Sequence, residues 1–404
     1  MRRIVATHTV VYAAILMATV PVFASETASH RFVNLALEGG GVWGIGHVGA
    51  LQVLEDRDVL SGVQRVAGTS AGAVVGMLVC LDYSPGEVKG IVEGMDFARF
   101  MDDEPEPEMQ DILRPLDEVK SMVVDLQRVQ DNLNKLVDEL RKIKILGVGL
   151  DVDGLLSHYD LDIRGKLDKY DVDMDATLAE HGLDRERLTG ALRLVLYYGY
   201  YKGDYALDFL ERQVEQRLGS RQATFSDLMK WGGRDLRVFV TNLSTCRVQE
   251  LSYSKSPDMA IAKAVRASMA FPLLFTAVNQ DNQILVDGGV LMNYPLESFA
   301  TADANETLGI AFSESDTTPG QDPQINAFGY RDPVEYFWSL SRTISRAQAT
   351  AWVIKEDMRR RTILIDTAGL SGMDVNLTDT QKQQLYQNGV AAAEAFFAGQ
   401  TAAR

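Results

Sequence analysis

Histidine, cysteine and basic residues are all scarce in this chain, and each shortage closes off a class of function. The 404 residues include five His, two Cys, and 40 Lys and Arg against 56 Asp and Glu, a formal net charge of −16. With no basic face to neutralise phosphates, a nucleic-acid partner is excluded. Electrostatic docking on anionic lipid is excluded for the same reason, so any peripheral membrane contact would have to rest on apolar side chains. Cys80 and Cys246 stand far apart in element-like apolar stretches. That is neither a zinc spacing nor a disulfide framework, and two buried free thiols are expected.

Long apolar runs are missing as well, with one exception at the start. Arg2 and Arg3 precede the nearly all-apolar Val10 to Val20, and Val22-Phe23-Ala24 offers small residues at the −3 and −1 positions before Ser25. This reads as a cleavable signal peptide over 1–24, which implies a periplasmic or secreted protein. An uncleaved anchor is the competing reading, although the run is short for a bilayer span.

What remains is a globular composition, 46% hydrophobic and 24% charged, able to bury a large core. Residues 32–38 read as a buried strand that runs into Gly39-Gly40-Gly41, with helical spacing from His47 to Arg57. A second apolar run, 63–67, meets Gly68-Thr69-Ser70-Ala71-Gly72 and a small-residue helix through Cys80. Two successive strand–glycine-turn–helix units indicate an α/β sheet with ligand chemistry at the strand ends. Further strands are expected at 236–241, 283–286, 307–313 and 361–365. Helices are expected at 205–218, 260–270, 333–358 and 379–397.

Between these lies an acidic, helical insertion at about 101–185, opened by Asp-Asp-Glu-Pro-Glu-Pro-Glu at 102–108. A heptad-like seam over 116–140 is expected to be an amphipathic helix packed on its own domain. Self-association through it as a coiled coil is the sharper alternative. Asp171, Asp173 and Asp175 begin like a calcium loop, but Ala176 and Gly182 stand where glycine and a bidentate glutamate are needed, so a solvated acidic surface is expected and no metal site. Leu194 to Tyr201 is expected to be a buried segment leading into the next helix, with an interfacial anchor or acyl-pocket wall as the alternative.

The chemistry concentrates in three turns. Gly68-x-Ser70-x-Gly72 has the form of a nucleophile elbow, in which a sharp strand-to-helix turn projects the serine hydroxyl from the sheet. Gly39-Gly40-Gly41-x-x-Gly44 lets backbone N–H groups approach an oxyanion closely. It also fits a dinucleotide-loop fingerprint, but no acidic ribose ligand follows on a second strand. A serine needs a base, and of the histidines beyond the leader none is well placed. His30 is in the tail, His158 and His181 are in the insertion, and a structural role suits His47. Asp287, at a strand end before Gly288 and Gly289, could accept the serine proton directly if burial raised its pKa.

In order, Gly39-Gly40-Gly41-x-x-Gly44, Gly68-Thr69-Ser70-Ala71-Gly72 and Asp287-Gly288-Gly289 resemble the three motifs of patatin-like phospholipases. The run from Arg266 to Phe275 and Asn293-Tyr294-Pro295 are similar to further blocks of that family. The resemblance implies a three-layer α/β/α sandwich with a central, mostly parallel sheet, forming one catalytic domain over 25–404. It implies a lipid or acyl-ester substrate, a Ser70–Asp287 dyad, an oxyanion hole at Gly39, Gly40 and Gly41, and no cofactor. One position departs: Trp43 stands where the family usually carries Arg or Lys, which puts contact with a phosphate headgroup in question. A carboxylesterase or acyltransferase on smaller or neutral esters is the alternative within enzymes. An interaction protein that uses the insertion is the alternative outside them.

Overall fold

The computed structural model describes residues 32–101, 196–299, 306–313 and 355–402, with short pieces at 144–145, 148–149, 189–190 and 193–194 and position 343. The leader, the 116–140 seam and most of the 333–358 helix lie outside the described residues.

A mixed, mostly parallel sheet forms the centre and is flanked by helices. The chain lays down β1 (Asn34–Leu37), α1 (Gly44–Asp56), β2 (Arg65–Thr69), α2 (Ala71–Cys80) and α3 (Pro85–Glu93). After the insertion come β3 (Gly199–Tyr201), α4 (Asp204–Leu218), α5 (Phe225–Trp231), β4 (Asp235–Asn242), β5 (Arg247–Ser252) and α6 (Ile261–Ser268). Then follow β6 (Leu273–Phe275), β7 (Val278–Gln280), β8 (Gln283–Asp287), β9 (Thr307–Ser313), α7 (Glu356–Arg359), β10 (Thr362–Asp366) and α8 (Asp379–Ala402). The sheet order is β10-β9-β1-β2-β4-β8-β7, with β5 on the far edge of β4. Strands β10, β9, β1, β2 and β4 run parallel, and β8, β7 and β5 join antiparallel.

The strands are apolar because both faces are covered. Leu35, Leu37, Val66, Val238, Leu308 and Ile310 enter the large core, whereas Ala36, Ala67, Phe239 and Ala311 face a smaller cluster with Tyr294, Leu296, Phe299 and Met358. Alternation of large and small residues lets one sheet present a wide face and a close-packed one. Truncating one fully buried leucine such as Leu37 should cost about 2–5 kcal/mol. Helices α1 and α8 pack on each other, and α8 reaches β10. Glycines at the α1–α8 crossing bring the two backbones close: a side chain at Gly49 would strike Tyr386 O.

Two expectations need correction. Cys80 is buried as expected, but Cys246 is exposed, because it sits at the tip of the β4–β5 turn rather than within a strand. Leu194–Tyr201 is not a buried segment throughout. Leu196 is 44% and Tyr198 62% exposed, and Gly199–Tyr201 forms strand β3 against β6.

Candidate active site

Strand pairing alone brings the elbow and the aspartate together. Along one edge of β4, strand β2 runs parallel and ends with Thr69 opposite Phe239. On the same edge β8 arrives antiparallel and ends with Asp287 opposite Val240. The other edge of β4 is filled by β5 over these residues. The carboxyl ends of β2 and β8 therefore point at each other, and Ser70, one residue past β2, meets Asp287 there. There the Ser70 hydroxyl lies close enough to the Asp287 carboxyl to favour its ionised form.

Ser70 holds φ 51° and ψ −123°, a conformation sparsely populated for a residue with a side chain. Its N–H donates to Ser268 Oγ at 2.8 Å, and Ser268 Oγ–H donates to Phe239 O at 2.7 Å. The elbow is thus tied to α6 and β4 by one buried hydroxyl. Thr69 Oγ1 donates to Met292 O at 3.0 Å, which ties it to the chain after Asp287. Helix α2 begins at Ala71, so its positive end lies beside the nucleophile.

Asp287 is 2% exposed. Its N–H donates to Ala270 O at 2.9 Å, and Oδ1 accepts from Gly289 N–H at 2.7 Å. Burial pushes its carboxyl up to about 7, against the downward pull of the Gly289 N–H and the Ser70 hydroxyl. That is the range a general base needs near neutral pH. His47 is elsewhere. Fully buried, it pairs Nε2 with Glu38 O at 2.8 Å and packs on Phe312, and burial lowers its pKa to about 4. It is a structural, neutral imidazole.

The glycine loop lies beside this pair, with one change from expectation. Gly39 N–H donates to Asn293 O at 3.0 Å, so it is engaged within the fold. Gly40 and Gly41 N–H have no acceptor among the described residues, and Gly41 is exposed. Gly41 has φ +56°, and a side chain there would strike Gly372 O, so only glycine fits. The loop offers two free donors where three were expected.

The sequence model of one protein family, described as patatin-like phospholipase, matches residues 35–300, more than half of the chain. The chain belongs to this family. Among relatives, the uncharacterized protein R571 of Acanthamoeba polyphaga mimivirus is 23% identical over 90% of this chain and 93% of its own length. Protein YqhO of Bacillus subtilis is 23% identical over 90% and 98%. The probable lipid hydrolase 463L of invertebrate iridescent virus 6 is 28% identical over 24% of this chain and 34% of its own. VipD from Legionella pneumophila shares the fold, with a TM-score of 0.50 and 18% identity over 91% of this chain and 67% of its own.

In this chain, Trp43 does not replace the missing cation with another charge. Its Nε1–H donates to Leu370 O at 2.9 Å, and its ring packs on Phe312, with centroids 5.7 Å apart. Arg266, in the block before the aspartate, is buried and donates to Gly203 O, Lys202 O and Thr276 O. It anchors β3 beneath the site. Ser268 and Asn293 lie in the stretches that resemble the family, and neither they nor Glu38 carries a motif that marks it as a site residue. A residue that acts through a single long-range hydrogen bond leaves no spacing pattern to find.

Proposed function

We propose that the protein is a lipid acyl hydrolase of phospholipase A type that cleaves carboxylic esters through a Ser70–Asp287 dyad. The observation that carries this reading is the meeting, at the facing ends of β2 and β8, of a strained, half-buried serine and a buried carboxyl of raised pKa. In the first step Ser70 Oγ attacks the ester carbonyl carbon and gives its proton to Asp287. The C=O electron pair moves to oxygen, and the Gly40 and Gly41 N–H groups and the start of α2 stabilise that charge. The intermediate collapses, Asp287 returns the proton to the leaving alkoxide, and Ser70 carries the acyl group. Water attacks this acyl-enzyme by the same route and releases a fatty acid. All proton transfers pass through one carboxyl, and no histidine is required.

The family match supports a lipid substrate, and Trp43 in place of a basic residue favours headgroups that need no cation at that position. The leader motif supports export to the periplasm or beyond. Mass spectrometry of secreted protein should find Ser25 at the N-terminus; retention of Met1 would overturn export by cleavage.

Fatty-acid release from a panel of phospholipids and p-nitrophenyl esters tests the mechanism. Wild type should be active, and folded Ser70→Ala and Asp287→Asn should lose on the order of 10⁴-fold or more. Activity surviving in Ser70→Ala would sink the dyad. Turnover of short neutral esters alone would move the reading to a carboxylesterase.

A further inference from the structure

An oxyanion hole works only if its donors are held within a few tenths of an ångström of the developing charge. Here the donors and the nucleophile sit on different loops. The β1–β2 ladder ends at Leu37 opposite Gly68, so backbone pairing stops before either loop begins. Something beyond the ladder must fix the glycine loop relative to Ser70.

Beside the Gly372 and Leu370 carbonyls, which hold Val42 and Trp43, Asn293 supplies that link. Asn293 takes both polar groups of Gly39: its O accepts Gly39 N–H at 3.0 Å, and its Nδ2–H donates to Gly39 O at 3.0 Å. The same Nδ2 donates to Glu38 Oε1 at 3.3 Å. Glu38 Oε2 accepts Phe312 N–H of β9 at 2.8 Å. Met292, one residue before Asn293, accepts the Thr69 hydroxyl beside the nucleophile. Asp287 opens the same segment, six residues earlier. One short stretch therefore touches the base, the elbow and the oxyanion loop.

Glu38 is a buried carboxyl, 5% exposed, that takes no part in the proton transfers. Burying it is costly, and burial pushes its pKa up to about 8. A loop that needed only to close could use an apolar residue here. Two donors converging on the Glu38 carboxyl instead orient one amide, that of Asn293.

We propose that Asn293, held by Glu38, is a positioning residue that aims the Gly40 and Gly41 N–H groups at the oxyanion formed when Ser70 attacks. The proposal rests on the acyl-hydrolase reading above. It separates geometry from mere folding, because a misaimed donor slows chemistry while substrate binding is kept.

The test is turnover of p-nitrophenyl butyrate per active site, with sites counted by exhaustive fluorophosphonate labelling of Ser70. Asn293→Asp keeps the shape but sets a carboxylate against Gly39 O and Glu38. Its kcat per labelled site should fall about 100-fold, with KM moving by less than a factor of about three. Glu38→Gln still accepts from Asn293 but places an NH₂ near Phe312 N–H, and kcat should fall about 10-fold. A stability role alone would lower the number of labelled sites and Tm while leaving kcat per site intact. If Asn293→Asp does not fold, Glu38→Gln decides. Turnover per labelled site within a factor of about two of wild type overturns the brace. Wild type that neither labels at Ser70 nor hydrolyses any ester overturns the hydrolase reading, and the brace with it.

Discussion

The two glycine turns at the ends of β1 and β2 stand side by side in the sheet but are shaped by different parts of the chain. The tight turn of the elbow is closed by its own neighbours, since a side chain at Gly68 would run into the backbone of Gly72 and Ala73. Ser268 and Met292 tie the finished turn to the fold. The oxyanion loop is set from afar. Gly372 O crowds Gly41 and accepts Val42 N–H at 2.8 Å, and Asn293 holds Gly39. A turn determined locally should fail as a unit of folding. One determined by distant contacts should fail as a unit of alignment.

Five measurements sharpen or break that contrast. The largest effect is expected for Gly68→Ala, which drives a methyl into backbone that cannot move without unwinding α2. It should cost more than about 3 kcal/mol of stability, read as a large loss of Tm and of soluble protein. Gly41→Ala should fold but lose on the order of 10²–10³ in kcat, because its positive φ and the close Gly372 carbonyl force the loop to shift. If Gly41→Ala loses more stability than Gly68→Ala, the contrast between local and distant control is wrong.

Next comes the base on the elbow side. Asp287 must be ionised to accept a proton, so kcat/KM should rise with pH and level off above about 7. A profile flat between pH 5 and 8 would remove Asp287 from that role. Stability should run the other way. Asp287 and Glu38 have folded pKa values raised to about 7 and about 8, from ordinary values of 3.8 and 4.5. Their contribution is present in full below those ordinary values and is lost as pH rises through the folded ones. His47, lowered to about 4, contributes stability above 6.5 that is lost as pH falls. Above pH 6.5 the carboxyls therefore set the slope, and Tm should fall toward pH 8. Glu38→Gln should flatten that fall.

The smallest effect belongs to Ser268→Ala, which removes the acceptor of Ser70 N–H without touching the glycine loop. A loss of about 1–3 kcal/mol, with kcat reduced about tenfold, is expected from calorimetry and turnover. Unchanged kcat would show that the strained Ser70 backbone is held by the elbow's own turn alone.

Much of this arrangement is legible in the amino-acid sequence. The alternation of β1 and β2 into glycine turns placed two parallel strands and their loops, and 307–313 matched β9 residue for residue. Period and punctuation are local, so they survive in a linear string. Asp287 as the proposed base rests on the lack of a well-placed histidine and on the family resemblance. The burial that raises its pKa comes from neighbouring elements and is not written near it. Cys246 was misplaced because an apolar flank in sequence became a turn tip in space. Gly39 lost its role as a free donor for a related reason. Its partner Asn293 lies 254 positions away, and no spacing rule connects them.

By itself the sequence determined the class of sheet and the two glycine turns, because strand periodicity and tight-turn sterics are properties of short segments. It pointed to Asp287 only with the help of a family resemblance, since an Asp-Gly-Gly turn is not distinctive alone. Only the tertiary structure decided which N–H groups stay open to an oxyanion, how far burial lifts the carboxyls, and that one asparagine joins the base, the elbow and the oxyanion loop. Those outcomes depend on desolvation and hydrogen bonds between strands distant in sequence, and they exist only once the sheet has closed around them.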